Sequence, residues 1–95
     1  MGLNDKDAKV QLINTLEAYK IVSNILSRNF GGGTIFEEEG IYKHDDGTVV
    51  IEKTLRIEIL FAEEPQVKSF VSELKKLFNQ ESIAVQKEEI NSELW

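Results

Sequence analysis

Acidic and imidazole side chains gather in one stretch of this chain, Glu37-Glu38-Glu39 followed by His44-Asp45-Asp46. Carboxylates at this density could hold a hard cation. The spacing matches no EF-hand loop, and a single histidine is a poor start for a transition-metal site. On a strand, Glu37 and Glu39 face one way and Glu38 the other. The run therefore reads as a solvated strand whose charges oppose aggregation. Glu37, Glu39 and His44 are candidate contacts for a protein partner, and no metal is expected.

A second set of residues could hold an anion or a ring. Gly31-Gly32-Gly33-Thr34 could present backbone N–H groups, Tyr42 could stack on a base, and Arg56 could clamp a carboxylate or phosphate. Phosphate loops precede a helix, whose N-terminus supplies the field. This glycine run follows one, so it reads first as a connection. Glu58 lies two residues from Arg56 on the same strand face and competes as its partner. A Ser, Thr or Cys nucleophile needs an adjacent base. The lone His44 beside a turn gives no triad, and no pair among the 17 acids is singled out by spacing. No catalytic residue, and no cofactor, is assigned.

The elements that must carry these residues follow from periodicity. Residues 6–30 are expected to form a long helix, with Leu12, Leu16, Tyr19, Val22, Leu26 and Phe30 as its buried stripe. Asn4 or Asp5 would cap it, and Gly31 would end it. Val10, Ile13, Ile21 and Ile25 lie off that stripe, and a helix this broadly apolar predicts a second contact with another subunit. Residues 34–44 and 48–61 read as strands joined by Asp45-Asp46-Gly47, since Asp-Gly is a strong hairpin signal. Val49, Ile51, Leu55, Ile57, Ile59 and Phe61 share one face of the second strand, interrupted by Lys53. At about 14 residues it exceeds a usual strand, so the hairpin tip should project beyond the core. Residues 65–78 read as a second helix buried through Val67, Phe70, Val71, Leu74, Leu77 and Phe78. A last strand is expected over 82–87, with Ile83 and Val85 inward. The tail from Glu88 to Trp95 either extends it or frays.

The order helix, strand, strand, helix, strand fits an α+β ferredoxin-like sandwich over residues 1–95, two helices on one face of an antiparallel sheet. That fold needs a strand before the first helix. Only Met1-Gly2-Leu3 is present, a stub at best, and a gap in the sheet invites pairing with another chain.

The 95 residues suffice for one core, and 41% apolar with 29% charged residues is an ordinary globular balance. The absence of cysteine excludes disulfides and thiolate chemistry. The polar N-terminus does not read as a signal peptide, and no apolar run approaches the roughly 20 residues of a membrane span. A cytoplasmic location is expected, the host cytoplasm if the gene is viral. The net charge is −6, concentrated in the middle and end of the chain. Such a surface repels phosphate, so direct nucleic-acid binding is disfavoured.

Several turn and packing positions resemble a family of small bacterial and phage proteins of unassigned function. These are Phe30-Gly31-Gly32-Gly33-Thr34-Ile35, Gly40-Ile41-Tyr42, Asp46-Gly47, Leu55-Arg56-Ile57-Glu58-Ile59 and Phe78-Asn79-Gln80-Glu81-Ser82-Ile83. The resemblance spans residues 12–86 and implies a ferredoxin-like fold and no activity. A more distant similarity, in element order, is to P-II-type and CutA-type proteins. They are often trimers, and P-II proteins bind nucleotides in clefts between subunits. Here the long P-II signalling loop is replaced by a short hairpin, and the phosphate-holding basic residues have no counterpart. The leading expectation is a non-enzymatic, self-associating protein-interaction module, acting on a host protein if phage-borne. The alternatives are a small-ligand or nucleotide sensor with an intersubunit cleft near Gly31–Thr34, Tyr42 and Arg56, and an enzyme using carboxylates alone.

Overall fold

A computed structural model of the chain describes residues 1–88, and its organising element is an antiparallel hairpin. Strand β1 (Thr34–Lys43) pairs with β2 (Val49–Glu58) from Thr34↔Glu58 to Lys43↔Val49. The reversal is a three-residue loop, Asp45-Asp46-Gly47. The Gly47 N–H donates to the His44 carbonyl at 2.9 Å, the His44 N–H to the Thr48 carbonyl at 2.8 Å, and Gly47 alone in the loop has positive φ, 91°. Asp46 closes it, its carboxylate accepting from the Thr48 N–H at 2.8 Å. This is a tight turn followed by a left-handed glycine, the usual three-residue solution.

Helix α1 (Thr15–Phe30) precedes the hairpin and α2 (Glu64–Leu77) follows it. The start expected at residue 6 lies at Thr15, and neither Asn4 nor Asp5 caps the helix. Asn14 does, accepting from the Glu17 N–H at 2.8 Å. Asp5 instead caps a separate single turn: its carboxylate accepts from the Asp7 and Ala8 N–H groups at 2.8 Å each and the Lys9 N–H returns to the Asp5 carbonyl at 2.9 Å, but Lys9 at φ 62° ends that turn. Gly31 ends α1 at φ 73°, its N–H bonded to the Ser27 carbonyl at 3.1 Å. Helix α2 opens on Glu63-Glu64-Pro65, with the Gln66 side chain accepting from the Glu63 N–H at 3.2 Å.

The core is small. Ala18, Val22, Ile25 and Leu26 of α1 meet Phe70 and Leu74 of α2, with Phe78, Leu55 of β2 and Leu3. Phe30 meets Phe70 edge to face at 5.4 Å. Of the expected stripe, Val22 and Leu26 are buried and Phe30 packs against the core, whereas Leu16 and Tyr19 are exposed and Leu12 lies, exposed, before the helix; Ile25 is buried and Ile13 and Ile21 pack against the core. Ala18 is fully buried alongside them. In α2, Leu77 is exposed, contrary to expectation.

The N-terminal stub lies beside β2. Leu3 N–H donates to the Lys53 carbonyl at 2.9 Å, Leu55 N–H to the Met1 carbonyl at 2.8 Å, and the Met1 ammonium to the Leu55 carbonyl at 2.6 Å. Gly2 and Thr54 form an isolated antiparallel bridge. The strand expected over 82–87 is not formed. Ile83 still packs on the core, but Val85 faces solvent. A three-residue stub offers too little edge for another strand to pair with. β2 also ends at Glu58, before the expected residue 61, and the exposed Phe61 adopts φ 58° in the turn to α2. Among the described residues the sheet thus has two strands, and the domain is α+β. The tail beyond Glu88, including Trp95, lies outside them. No described helix is long and apolar enough to cross a membrane.

Asn79 and Gln80, after α2, hold the N-terminal loop. Asn79 donates to the Asp5 and Asp7 carboxylates at 3.0 and 2.8 Å, and Gln80 to the Asn4 carbonyl at 2.8 Å. The Ala8 N–H, then Asn79 and the Asp7 N–H, hold the Asp5 carboxyl below its ordinary value.

Two predictions follow from the fold. Leu55→Ala leaves a cavity under both helices and should cost about 2–5 kcal/mol in chemical denaturation. The depressed Asp5 pKa adds stability that is present above the ordinary carboxyl value, near pH 3.8, and lost as pH falls through the folded value. Melting temperature should drop on acidification below about pH 4, and Asp5→Asn should drop less over that window. An equally steep fall in the variant would place the acid sensitivity elsewhere.

Candidate functional site

The hairpin has two faces, and the sequence candidates divide between them. Phe36, Glu38 and Tyr42 of β1 share a face with Val50, Arg56 and Glu58 of β2, as register dictates. Arg56 is fully engaged there. Its Nε donates to Glu38 at 2.7 Å, another guanidinium N–H to Glu58 at 2.6 Å, and its plane lies 4.1 Å from the Phe36 ring centroid. The bond to Glu38 and the surrounding carboxylate charge push the guanidinium pKa up. Glu58 is the expected partner. Glu38 and Phe36 are additional, set opposite or diagonal by the cross-strand register.

Tyr42 stands six residues along β1 from Phe36, about 20 Å away at strand rise. It pairs with Val50 and meets His44 edge to face at 5.3 Å. The glycines lie at the other end of the hairpin. Gly31 and Gly32 have positive φ, and a Cβ on Gly33 would sit 2.8 Å from the Glu58 carbonyl oxygen and 2.9 Å from Leu26. Their role in the fold is to turn α1 into β1 against the end of β2. The structure does not bring Gly31, Gly32, Gly33, Thr34, Tyr42 and Arg56 together in one cleft of the monomer.

The acidic run is likewise divided. Glu39 pairs with Lys53 at 2.8 Å, and the hydrogen bond followed by the lysine charge holds the carboxyl below its ordinary value. Glu38 goes to Arg56 on the opposite face. No cluster of three His, Asp or Glu with metal-binding geometry occurs among the described residues.

The face toward the helices carries the feature that stands out. Its lower half, Ile35, Leu55 and Ile57, lies under or against the core. Past Glu37 and the Glu39–Lys53 ion pair on this face, its upper half is apolar again at Ile41, Ile51 and Val49, which are 71%, 64% and 60% exposed. Ile41 and Ile51 are a directly opposed pair. The molecule is 49 Å long and 24 Å by 22 Å across, as a projecting hairpin requires. Of the residues expected to make contacts from α1, Val10 is exposed but lies in the loop before the helix. Ile25 is in the chain's own core, with Ile13 and Ile21 packed beside it. The sequence signal for Ile41 and Ile51 was the strand alternation itself, running further than any helix covers.

A comparison of the chain with family models, curated proteins and solved structures finds no match.

Gly33→Ala should destabilise the fold by about 1–3 kcal/mol, the cost of overpacking, because the contact is with backbone that cannot swing away. Gly32→Ala meets no neighbour, so its denaturation midpoint should fall only through its positive φ. Equal midpoints for Gly33→Ala and wild type would show that the α1–β1 junction yields.

Proposed function

We propose that this chain is a non-catalytic protein-interaction module that self-associates through its projecting hairpin. The observation that carries this reading is the exposed Ile41–Ile51–Val49 row on a strand pair whose β1 edge has no partner among the described residues. An exposed apolar face beside an open edge is a template for another strand.

Charge selects the register of a two-fold pairing of β1 with β1. Centred on Glu38, it would set Glu37 against Glu39 and Glu38 against itself, which is destabilising. Centred on Gly40, it sets Glu37 opposite Lys43 twice, Glu38 opposite Tyr42, and the two Ile41 side chains diagonal on one face. The β1 N–H and C=O groups that point away from β2 belong to residues 35, 37, 39, 41 and 43, the ones this register needs.

The absence of catalysis is supported by how the reactive groups are occupied: His44 stacks on Tyr42, and Glu38, Glu39 and Arg56 are spent on ion pairs. A ferredoxin-like parent architecture is supported by Met1–Leu3, which runs antiparallel beside β2 where the first strand of that fold would lie. The resemblance to small bacterial and phage proteins adds a setting, a cytoplasmic protein acting on a host protein.

Light scattering coupled to size exclusion tests the reading. Wild type should run as a dimer or larger at about 100 µM, which implies a dissociation constant tighter than about 10⁻⁴ M. Lys43→Glu should shift it to monomer, and Glu37→Lys combined with Lys43→Glu should restore assembly. A wild-type monomer at that concentration would refute self-association, and a double variant as weak as Lys43→Glu would refute this register.

A further inference from the structure

The edge of β2 away from β1 is only partly covered. Met1–Leu3 satisfies Leu55 and Lys53, and the row stops there. Antiparallel alternation points the N–H and C=O of Ile57 along the same edge. No backbone hydrogen bond outside the β1–β2 ladder engages Ile57 or Ile59 among the described residues. Immediately beyond lies a groove of about 970 Å³. It is bounded by the segment that follows β2 from Ile59 onward, by one face of α2, and by residues 85–88. Its apolar surface comes from Ile59, Phe61, Val67 and Val71, and Lys75 and Lys87 stand at its rim.

The charge of this groove is opposite to that of the chain. Lys68 at the rim is paired with Glu64 at 3.3 Å, and Glu88 accepts from Gln86 at 3.1 Å. Lys75 and Lys87 make no ion pair among the described residues. Three lysines against two glutamates, Glu64 and Glu88, leave the described lining of this groove with an excess of one positive charge on a protein of net charge −6.

We infer that this groove receives an extended segment of a partner protein, apolar on alternate residues and flanked by acids, which adds to the β2 edge at Ile57. Main-chain bonds to Ile57 hold the segment in register, alternate side chains enter the apolar surface, and its acids meet Lys75 and Lys87. This is strand addition, in which backbone bonding gives affinity and alternate pockets give selectivity. The site rests on the reading of the chain as an interaction module. It lies on the opposite edge of the hairpin from the self-association surface, so either can fail alone.

The probe is a fluorescent, end-blocked peptide, Glu-Val-Thr-Val-Thr-Val-Glu, titrated against the full chain by polarisation. The counterpart carries lysine at both ends. The acidic peptide should bind at least ten-fold more tightly, against the preference that the overall charge would impose. Lys75→Glu with Lys87→Glu, the first position half-buried and the second exposed, should reverse the order, with circular dichroism verifying that the variant folds. Methylating every second backbone amide of the peptide should weaken binding at least ten-fold in one of the two frames. The Ile57 amide should gain protection from hydrogen exchange in the complex. Four results would overturn the assignment: no binding at 1 mM peptide, a preference for the lysine-flanked peptide, indifference to both methylation frames, or unchanged exchange at Ile57. Occupancy of the groove by residues 89–95 or by a second copy would appear as the first of these.

Discussion

Everything in this domain converges on the burial of Leu55. Its side chain is wholly removed from solvent, and its N–H and C=O are both bonded to Met1. It sits in the half of the hairpin that α1 and α2 cover, opposite Glu37. Sheet, both helices and N-terminus therefore share one anchor. A chain this short has little apolar surface with which to build a second one. The core is spent at the base of the hairpin, and the tip goes uncovered. Strand length makes the same point: ten residues of β-strand reach about 33 Å, whereas fourteen residues of helix reach about 21 Å.

The two chain ends are tied to that anchor by polar contacts. Asp5, Asp7, Asn79 and Gln80 clamp the N-terminal loop to the turn after α2. This clamp keeps Met1–Leu3 beside β2, and with it Leu3 in the core. Burial pushes the Met1 ammonium pKa down, while the charges of Glu52 and Glu38 oppose that shift. The carboxylate of Glu52 also accepts from the Asn4 N–H at 2.7 Å. One acid on β2 thus balances the charge of the N-terminus and fixes its path.

The parts legible in the sequence were those set by local chemistry. Asp46-Gly47 marked the reversal, Gly31 the end of α1, Pro65 the start of α2, and alternation in β2 put Leu55 and Ile57 inward. The parts that were not legible depend on long-range competition. Residues 5–10 have the composition of a helix and Asp5 caps one turn of it, but the Asn79 side chain takes the Asp5 and Asp7 carboxylates, the Asn79 backbone carbonyl takes the Lys6 N–H at 3.1 Å, and Lys9 at φ 62° ends the turn. The buried face of α1 joins Val22 and Leu26, which periodicity picks out, to Ala18 and Ile25, and Ala18 carries almost no hydrophobic weight in a periodicity count. Residues 82–87 alternate well enough for a strand, but a strand exists only where an edge receives it. The candidate ligand residues are not gathered within one chain for a related reason: Tyr42 and Arg56 share a face, and strand geometry keeps them far apart along it.

The two edges of the hairpin differ in a way that bears on selectivity. The β1 edge carries Glu37, Glu38 and Glu39 at one end and Lys43 at the other, a pattern complementary to its own reverse. The β2 edge beyond Leu55 carries no acid facing the groove until Glu64, which Lys68 neutralises. A strand suited to one edge is therefore badly matched to the other. An acid-flanked segment approaching β1 meets three glutamates, and a second copy of β1 approaching the groove would bring its glutamates but also its Lys43 against Lys75 and Lys87. Specificity arises from what each edge repels as much as from what it attracts. Under the proposed function the acidic run would act through partner choice, because it closes one open edge to the class of strand that the other edge would admit.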